Sequence, residues 1–404
     1  MIVSLLDSDT YKFTMQQFAL HHFPSTEVEY KLIVRSKVDL RPYKKKIETE
    51  IDNLCNLRFL ADELDYLRTI RFMKPDYVNF LEDFRLKRRH VKVYEENGQL
   101  AISIKGEWVN TILFEVPTLA IISEVYCRAN YSETIAFEEG YKRLEEKTRL
   151  YLKGKDIRIT DFGTRRRYSQ AWHETVVKYL SDYQPQFWGT SNLYLAKKFN
   201  LKPIGTMAHE FIQIGMGLET TQLAKSQKYM LEKWAEEYRG DLGYALTDTI
   251  GMDAFLQDFD LYLAKLYDGC RHDSGDPILW GEKLIAHYKK LRIDPMTKSA
   301  VFSDNLTFQR AAEIQDHFRG RILCSFGIGT NITNDVGFKP LSIVIKLVRV
   351  NGNPVAKISD EPEKAICEDK QFLNYLKKVY GLPYGEFNSA EEYFAAVSRE
   401  EAHD

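Results

Sequence analysis

Hydrophobic and polar positions divide the chain into three textures. Near the start, Tyr11, Phe13, Met15 and Phe18 recur along a segment that Asp7 or Asp9 could cap, so a helix is expected there. Glu27 to Val34 alternates as a strand does. Val91 to Tyr94 and Leu100 to Ile104 flank Asn97-Gly98, a pair that tolerates the positive φ of a tight turn, and together they predict a β-hairpin. A helix is expected to follow Pro117 through Leu119, Ile122 and Val125. The apolar run Val116 to Ser123 is too short to span a bilayer and is bracketed by Glu115 and Glu124.

From about residue 155 short apolar strands recur, each ending in small or polar residues before a helical stretch. Ile157-Arg-Ile159 runs into Thr160-Asp161-Phe162-Gly163, Phe187-Trp188 into Gly189-Thr190-Ser191-Asn192, and Pro203-Ile204 into Gly205-Thr206. Tyr244 to Leu246 runs into Thr247-Asp248, and Leu266-Tyr267 towards Arg271 to Asp276. Ala300 to Phe302 leads to Ser303-Asp304, and Ile322-Leu323 to Ser325 through Thr330. This is an α/β pattern with functional-looking residues after each strand, where ligands of parallel α/β folds collect. Its units are too compact for a full regular barrel, which leaves an irregular barrel or a doubly wound sheet. The last third returns to β character: Ser342 to Val350, a turn at Asn351-Gly352, and Val355 to Ile358 read as a hairpin. A terminal helix is expected from Ala390 to Arg399.

Composition narrows the function. With 56 basic against 58 acidic residues the net charge is -2, so no broad basic field favours nucleic acid or a membrane surface, and an anionic ligand must be held by local groups. The five cysteines are scattered and form no CxxC pair, which argues against a disulfide framework or a zinc ribbon and fits reduced thiols in a cytoplasm. The opening segment has no basic n-region, and Asp7 and Asp9 interrupt its apolar run, unlike a signal peptide.

Candidate chemistry gathers at four places. Thr160 to Arg167 sets three arginines after a strand; guanidinium groups grip phosphate and carboxylate, but all three cannot face one ligand, so at least one is expected to be structural. In Arg271-His-Asp-Ser-Gly-Asp276, Asp276 and Pro277 form an N-cap and N1 pair, Arg271 suits an anion, and Asp273 suits a magnesium ion or a ribose hydroxyl. Gly327-Ile-Gly329 can bring backbone amides to a phosphate or can be a packing pair. His209 reads as either a structural or a catalytic histidine; Gln213 breaks an HExxH pattern. Cys270 beside Arg271 reads as a reactive thiol or, more simply, as a small buried residue.

At these residues the chain resembles the nicotinate phosphoribosyltransferase family. The segments SLLDSDTYKFTMQQ, TDFGTRRRYS, GTSNLYLAKK, GTMAHEF, ALTDTIGMDAFLQDF, RHDSGDPILWGEK, VFSDN and SFGIGTNIT carry the resemblance, in this order, from about residue 4 to residue 373. It implies an irregular, incomplete βα barrel over 136–340, with an α+β domain over 1–135 to which 341–404 returns. It implies transfer of a phosphoribosyl group from phosphoribosyl pyrophosphate to nicotinate, with Mg2+ and with ATP as co-substrate, coupled through a phosphorylated His209. It also implies a cytoplasmic homodimer with shared active sites. Phe162 would stack on the pyridine ring and Tyr11 of a partner subunit would cover its other face. Arg165 and Thr206 would lie near nicotinate or the ribose, and Asp248 in the base-ribose region. Arg271 and Asp273 would handle pyrophosphate and magnesium, while Gly327, Gly329 and Thr330 would cradle the 5-phosphate. Ser191 stands where nicotinamide-using relatives carry Asp, and a neutral side chain there favours a carboxylate-bearing base. The rival readings are a nicotinamide phosphoribosyltransferase, which Ser191 disfavours, and a non-catalytic pyridine-nucleotide sensor, which predicts loss of anion-handling groups that are present here. One departure stands out. Relatives commonly read Ser-Asp-Ser-Pro-Gly-Lys where this chain reads Ser359-Asp-Glu-Pro-Glu-Lys364, so Glu361 and Glu363 put in doubt a close backbone contact with an anion there.

Overall fold

The protein is described by a computed structural model over residues 1–361 and 365–382; the expected terminal helix, Glu363 and Lys364 lie outside these residues. The chain divides into two compact units. One comprises Met1–Met207, Asn305–Gln309 and Phe326–Asn353; the other comprises Ala208–Asp304, Arg310–Ser325 and the chain from Pro354.

The first unit holds an antiparallel sheet made from both ends of its chain. Glu27–Val34 lies between Gln99–Glu107 and Ile343–Val350, with Tyr30 opposite Ile104 and Leu32 opposite Ile345. Leu100, Ile102 and Ile104 are buried alternately, as a half-buried strand requires. Asn97 and Gly98 take φ of 49° and 73°, the double positive φ of the hairpin turn expected there, and Asn351 and Gly352 repeat it at 49° and 79°. The helix expected after Pro117 begins earlier, at Glu115, and runs to Asn130. With the turn before it, this Trp108–Asn130 stretch is long and apolar enough to cross a membrane, but 94% of its most apolar window is buried within the protein, as a core helix is.

Parallel α/β character follows in both units, as expected. In the first, Ile159–Asp161 pairs with Phe187–Thr190 on one side and with Phe326–Ile328 on the other. In the second, Gly269–His272 lies between Tyr244–Leu246 and Ser299–Phe302. Two expected strands are absent. Pro203 makes only an isolated bridge to Thr190, since proline has no amide to extend a ladder. Leu266 ends a helix, Leu261–Leu266, and the strand starts at Gly269 instead.

The second expected hairpin is also corrected. Ile343–Val350 and its turn form, but the returning strand is only Asn353–Pro354. Pro354 offers no donor, and the chain leaves the sheet for the second unit, where Ile358 N donates to Thr249 O. Lys357 thereby enters a polar cluster that the strand reading would have denied it.

Candidate active site

In the first unit, polar contacts stitch the N-terminal segment to the loop after Phe187–Thr190. Asp9 begins the helix Thr10–His22 without capping it through its side chain. Its carboxylate instead accepts from Ser191 Oγ at 2.7 Å, while Thr10 N donates to Ser191 O at 2.7 Å. Asp7 and Arg167 form a two-pronged pair at 2.6 and 2.7 Å, both side chains wholly buried. Arg167 is thus the structural arginine of its triplet. Burial alone would raise the Asp7 pKa, but the Arg167 charge together with the hydrogen bonds from Arg167 and Asn192 outweighs it and holds the carboxyl below its ordinary value. Asp9 goes the other way: burial dominates, and the more distant Arg165 only partly offsets it.

Arg165 and Arg166 are only half-buried. The Arg165 side chain is 40% exposed, and its guanidinium lies 3.8 Å from Asp9, 3.7 Å from Glu115 and 5.9 Å from the centre of the Tyr11 ring in the same chain. Glu115 is closely paired with the buried Lys12. Tyr11 and Thr206 are nearly buried, and Thr206 O accepts from Thr14 Oγ1 at 2.7 Å.

Phe162 follows the strand Ile159–Asp161, and its ring lies against Gly327: a Cβ there would stand 2.2 Å from the ring. Gly329 lies under the same residue, where a Cβ would come 3.1 Å from Phe162 O. The packing interpretation of this glycine pair is therefore satisfied at Gly327, which sits inside the strand Leu323–Ile328. Gly329 and Thr330 open the short helix Thr330–Thr333.

In the second unit, three segments converge on one buried cluster. His209 is the first residue of the helix His209–Met216, Asp248 follows the strand Tyr244–Leu246, and Asp273 follows Gly269–His272. His209 Nε2 lies 2.8 Å from Asp248 Oδ1 and 3.6 Å from Asp273 Oδ2. Lys357 Nζ reaches Asp248 Oδ2 at 2.8 Å, and Ser274 Oγ donates to the same oxygen at 2.6 Å. Ser303 Oγ donates to Asp273 Oδ1 at 2.7 Å, and Arg271 stands 3.9 Å from Asp273 Oδ2.

The electrostatics follow from this packing. Burial, reinforced by Lys357, pushes the His209 imidazole down to about 4 despite Asp248, so it is neutral at pH 7. Burial opposes the charge on Asp248, but His209 and Lys357 outweigh it and hold the carboxyl well below its ordinary value. Asp273 is held at about 2: its burial is overcome by Arg271 first and His209 next. An ionised Asp248 can only accept, so Nε2 of His209 carries the proton and Nδ1 carries the lone pair.

His209, Asp248 and Asp273 offer ligand atoms within 4.8 Å of one another, close enough to share a metal ion. Asp248 is already committed to His209, Lys357 and Ser274, however, and Asp273 Oδ1 to Ser303. Asp273 Oδ2, on a side chain 27% exposed, is the oxygen of this cluster that could hold a cation such as magnesium, which needs only one or two carboxylates when phosphates complete its shell.

Sequence reasoning missed Lys357, Ser274 and Ser303. The two serines lie in motifs it singled out, but which serine turns inward is a matter of loop geometry. Lys357 carries only a faint signal, one cation in the apolar run Val355 to Ile358. Asp276 caps its helix through Leu279 N at 2.7 Å as expected, with Pro277 as its first residue. Cys270 is buried and its thiol is pushed up to about 12, so the reactive-thiol reading fails and the small-residue reading stands.

Parallel strands that end in arginine and carboxylates, beside a helix that opens on a neutral, lone-pair-bearing histidine, are the equipment of a group-transfer enzyme acting on anionic substrates. The comparisons specify which. Residues 157–384 match the nicotinate phosphoribosyltransferase family and residues 6–123 match its N-terminal domain. The chain is 53% identical over 390 residues to the nicotinate phosphoribosyltransferase of Burkholderia mallei, covering 94% of this chain and 97% of that one. It is 54% identical over 394 residues to that of Chromobacterium violaceum, covering 95% and 98%. Among solved structures, the nicotinate phosphoribosyltransferase of Vibrio cholerae superposes with a TM-score of 0.91 at 40% identity, covering 100% of this chain and 98% of that one. That of Porphyromonas gingivalis gives 0.88 at 34%, covering 95% and 100%. The chain belongs to the nicotinate phosphoribosyltransferase family. Its reaction is the transfer of a phosphoribosyl group to nicotinate, a salvage step towards NAD.

Proposed function

We propose that this transfer is coupled to ATP through phosphorylation of His209 on Nδ1. The observation that carries the reading is the 2.8 Å contact from His209 Nε2 to a buried, ionised Asp248, which favours the tautomer with the lone pair on Nδ1. That lone pair attacks the terminal phosphorus of ATP, the phosphorus–oxygen bond to ADP breaks, and ADP leaves with the electron pair. Water later cleaves the phosphohistidine, releasing phosphate and restoring the imidazole. The modification adds about two negative charges beside Asp248 and Asp273, and the resulting repulsion reorders nearby loops to tighten substrate binding.

The phosphoribosyl step needs no general base. The pyridine nitrogen attacks the anomeric carbon, the bond to the pyrophosphate oxygen breaks, and pyrophosphate departs with the electrons. In this reading Phe162 stacks on the ring, and Arg165, Ser191, Thr206 and a partner subunit's Tyr11 surround it. Arg271 takes pyrophosphate, while Gly329 and Thr330 take the 5-phosphate and Gly327 seats the Phe162 ring. Magnesium on Asp273 would neutralise charge on the leaving group when bound.

The test uses the purified protein with nicotinate, phosphoribosyl pyrophosphate and magnesium, with and without ATP. His209→Ala and His209→Asn should abolish ATP hydrolysis while weak ATP-independent transfer persists. Coupled hydrolysis surviving intact in either variant would overturn the assignment. Sedimentation of the intact chain tests the homodimer: a monomer at assay concentrations would sink it.

A further inference from the structure

We propose that Asp161 and His173 are a positioning pair for the pyridine-ring site, setting Phe162 and Ser191 in place without touching substrate. This rests on the reading that Phe162 and Ser191 serve the base.

Asp161 is the last residue of the strand Ile159–Asp161 and is wholly buried. Its Oδ1 accepts from Gly163 N at 2.8 Å, which folds the chain back over one intervening residue and leaves Phe162 at the apex. Its Oδ2 accepts from Thr190 Oγ1 at 2.6 Å and from His173 Nε2 at 2.7 Å. Its backbone carbonyl accepts from Ser191 N at 2.8 Å. Thr190 Oγ1 in turn accepts from Asn192 N at 3.0 Å. A single residue therefore fixes both the turn that presents Phe162 and the loop that carries Ser191.

The arrangement requires a charged carboxylate. Three donors converge on it, and a protonated acid would have to aim its own hydrogen at one of them. Burial pushes the Asp161 pKa up, but His173 outweighs it and the carboxyl stays below its ordinary value. His173 lies in the first turn of the helix Gln170–Tyr183, which Ser169 caps through Trp172 N. Its ring is wholly buried and Nδ1 makes no hydrogen bond, so the polar role of this side chain is directed at Asp161. An Asn at position 161 cannot reproduce the site. If its oxygen faces Thr190 and His173, its amide hydrogens face the Gly163 N–H; if it flips, they face the other two donors.

The substitutions distinguish positioning from bulk stability. His173→Leu removes the donor, whereas His173→Gln can restore a nitrogen donor near the Nε2 position. In the full-length protein, with nicotinate and phosphoribosyl pyrophosphate varied separately, His173→Leu and Asp161→Asn should raise the KM for nicotinate by about tenfold or more. The KM for phosphoribosyl pyrophosphate should stay within about twofold, because the lost bonds hold only the ring site. His173→Gln should recover most of the nicotinate KM. Equal rises in both KM values, or a fall in thermal stability with the nicotinate KM unchanged, would overturn the proposal. Phe162→Ala is the control for the reading beneath it. If that variant raises the nicotinate KM and His173→Leu and His173→Gln do not differ, only the positioning pair is wrong; if Phe162→Ala leaves it unchanged, the base-site reading fails as well.

Discussion

Lys357 and His209 are separated by almost 150 residues of chain, yet both bear on one carboxylate: Lys357 Nζ holds Asp248 Oδ2 at 2.8 Å and His209 Nε2 holds Oδ1 at 2.8 Å. The two cation-forming groups compete for the same negative charge. Burial and the Lys357 charge leave His209 neutral, which is the state a nucleophilic imidazole needs.

Lys357→Met should therefore do two things. It leaves a buried carboxylate short of a partner, and it removes one of the two influences that depress His209. Coupled ATP hydrolysis should fall by roughly tenfold or more. The acid limb of its pH profile should move upward from the region near 4, where burial and Lys357 together place the imidazole. An unmoved limb in a variant with residual activity would show that Lys357 does not tune the histidine.

The same depression predicts a stability slope. An unfolded histidine titrates near 6.5, so between about 6.5 and 4 the unfolded chain binds a proton that folded His209 refuses. Stability must fall as pH drops through that window and is fully present above it. This group contributes on the order of 2 kcal/mol between pH 7.5 and 5. Urea unfolding of His209→Gln at both pH values should show a smaller loss than the parent.

Asp360 predicts the opposite sign. Burial, with Asp248 nearby, pushes its carboxyl up to about 7, although Met252 N donates to it at 2.7 Å. A folded acid with a raised pKa resists ionisation, so its cost is absent at low pH, grows above the unfolded value near 4, and is complete above about 7. Asp360→Asn keeps an acceptor for Met252 and removes the charge. It should raise Tm by a few degrees at pH 8 and leave it nearly unchanged at pH 4. Calorimetry at the two pH values checks this.

Gly327→Ala tests the base site from beneath. The added Cβ would stand 2.2 Å from the Phe162 ring, so the ring must shift. The nicotinate KM should rise by about tenfold, and stability should fall by about 1–3 kcal/mol from overpacking. A variant with parental kinetics would show that Phe162 does not need its present position.

Much of this was readable along the chain because it is local. The turns at Asn97-Gly98 and Asn351-Gly352 follow from two residues that tolerate positive φ, and the helix start at Asp276-Pro277 from a cap and a fixed dihedral. Arg165 and Asp273 were legible as candidate chemistry because each follows a short strand, and Arg271 lies within the second of these; His209 was legible only through an expected strand, Pro203-Ile204, that does not form. The errors were local too. Leu266-Tyr267 has the apolarity of a strand but closes a helix, since a two-residue run carries no period to separate the alternatives.

The sequence by itself determined the alternation of strands and helices, the tight turns and the residue types available for handling anions, because these depend on dihedral preference and on side chains a few positions apart. Only the tertiary structure decided which arginine is buried against Asp7, which carboxylate orients His209, and that Lys357 leaves the hairpin to reach Asp248. Those outcomes depend on burial and on charges meeting across long stretches of chain, where desolvation and partner geometry, rather than local preference, set the energy.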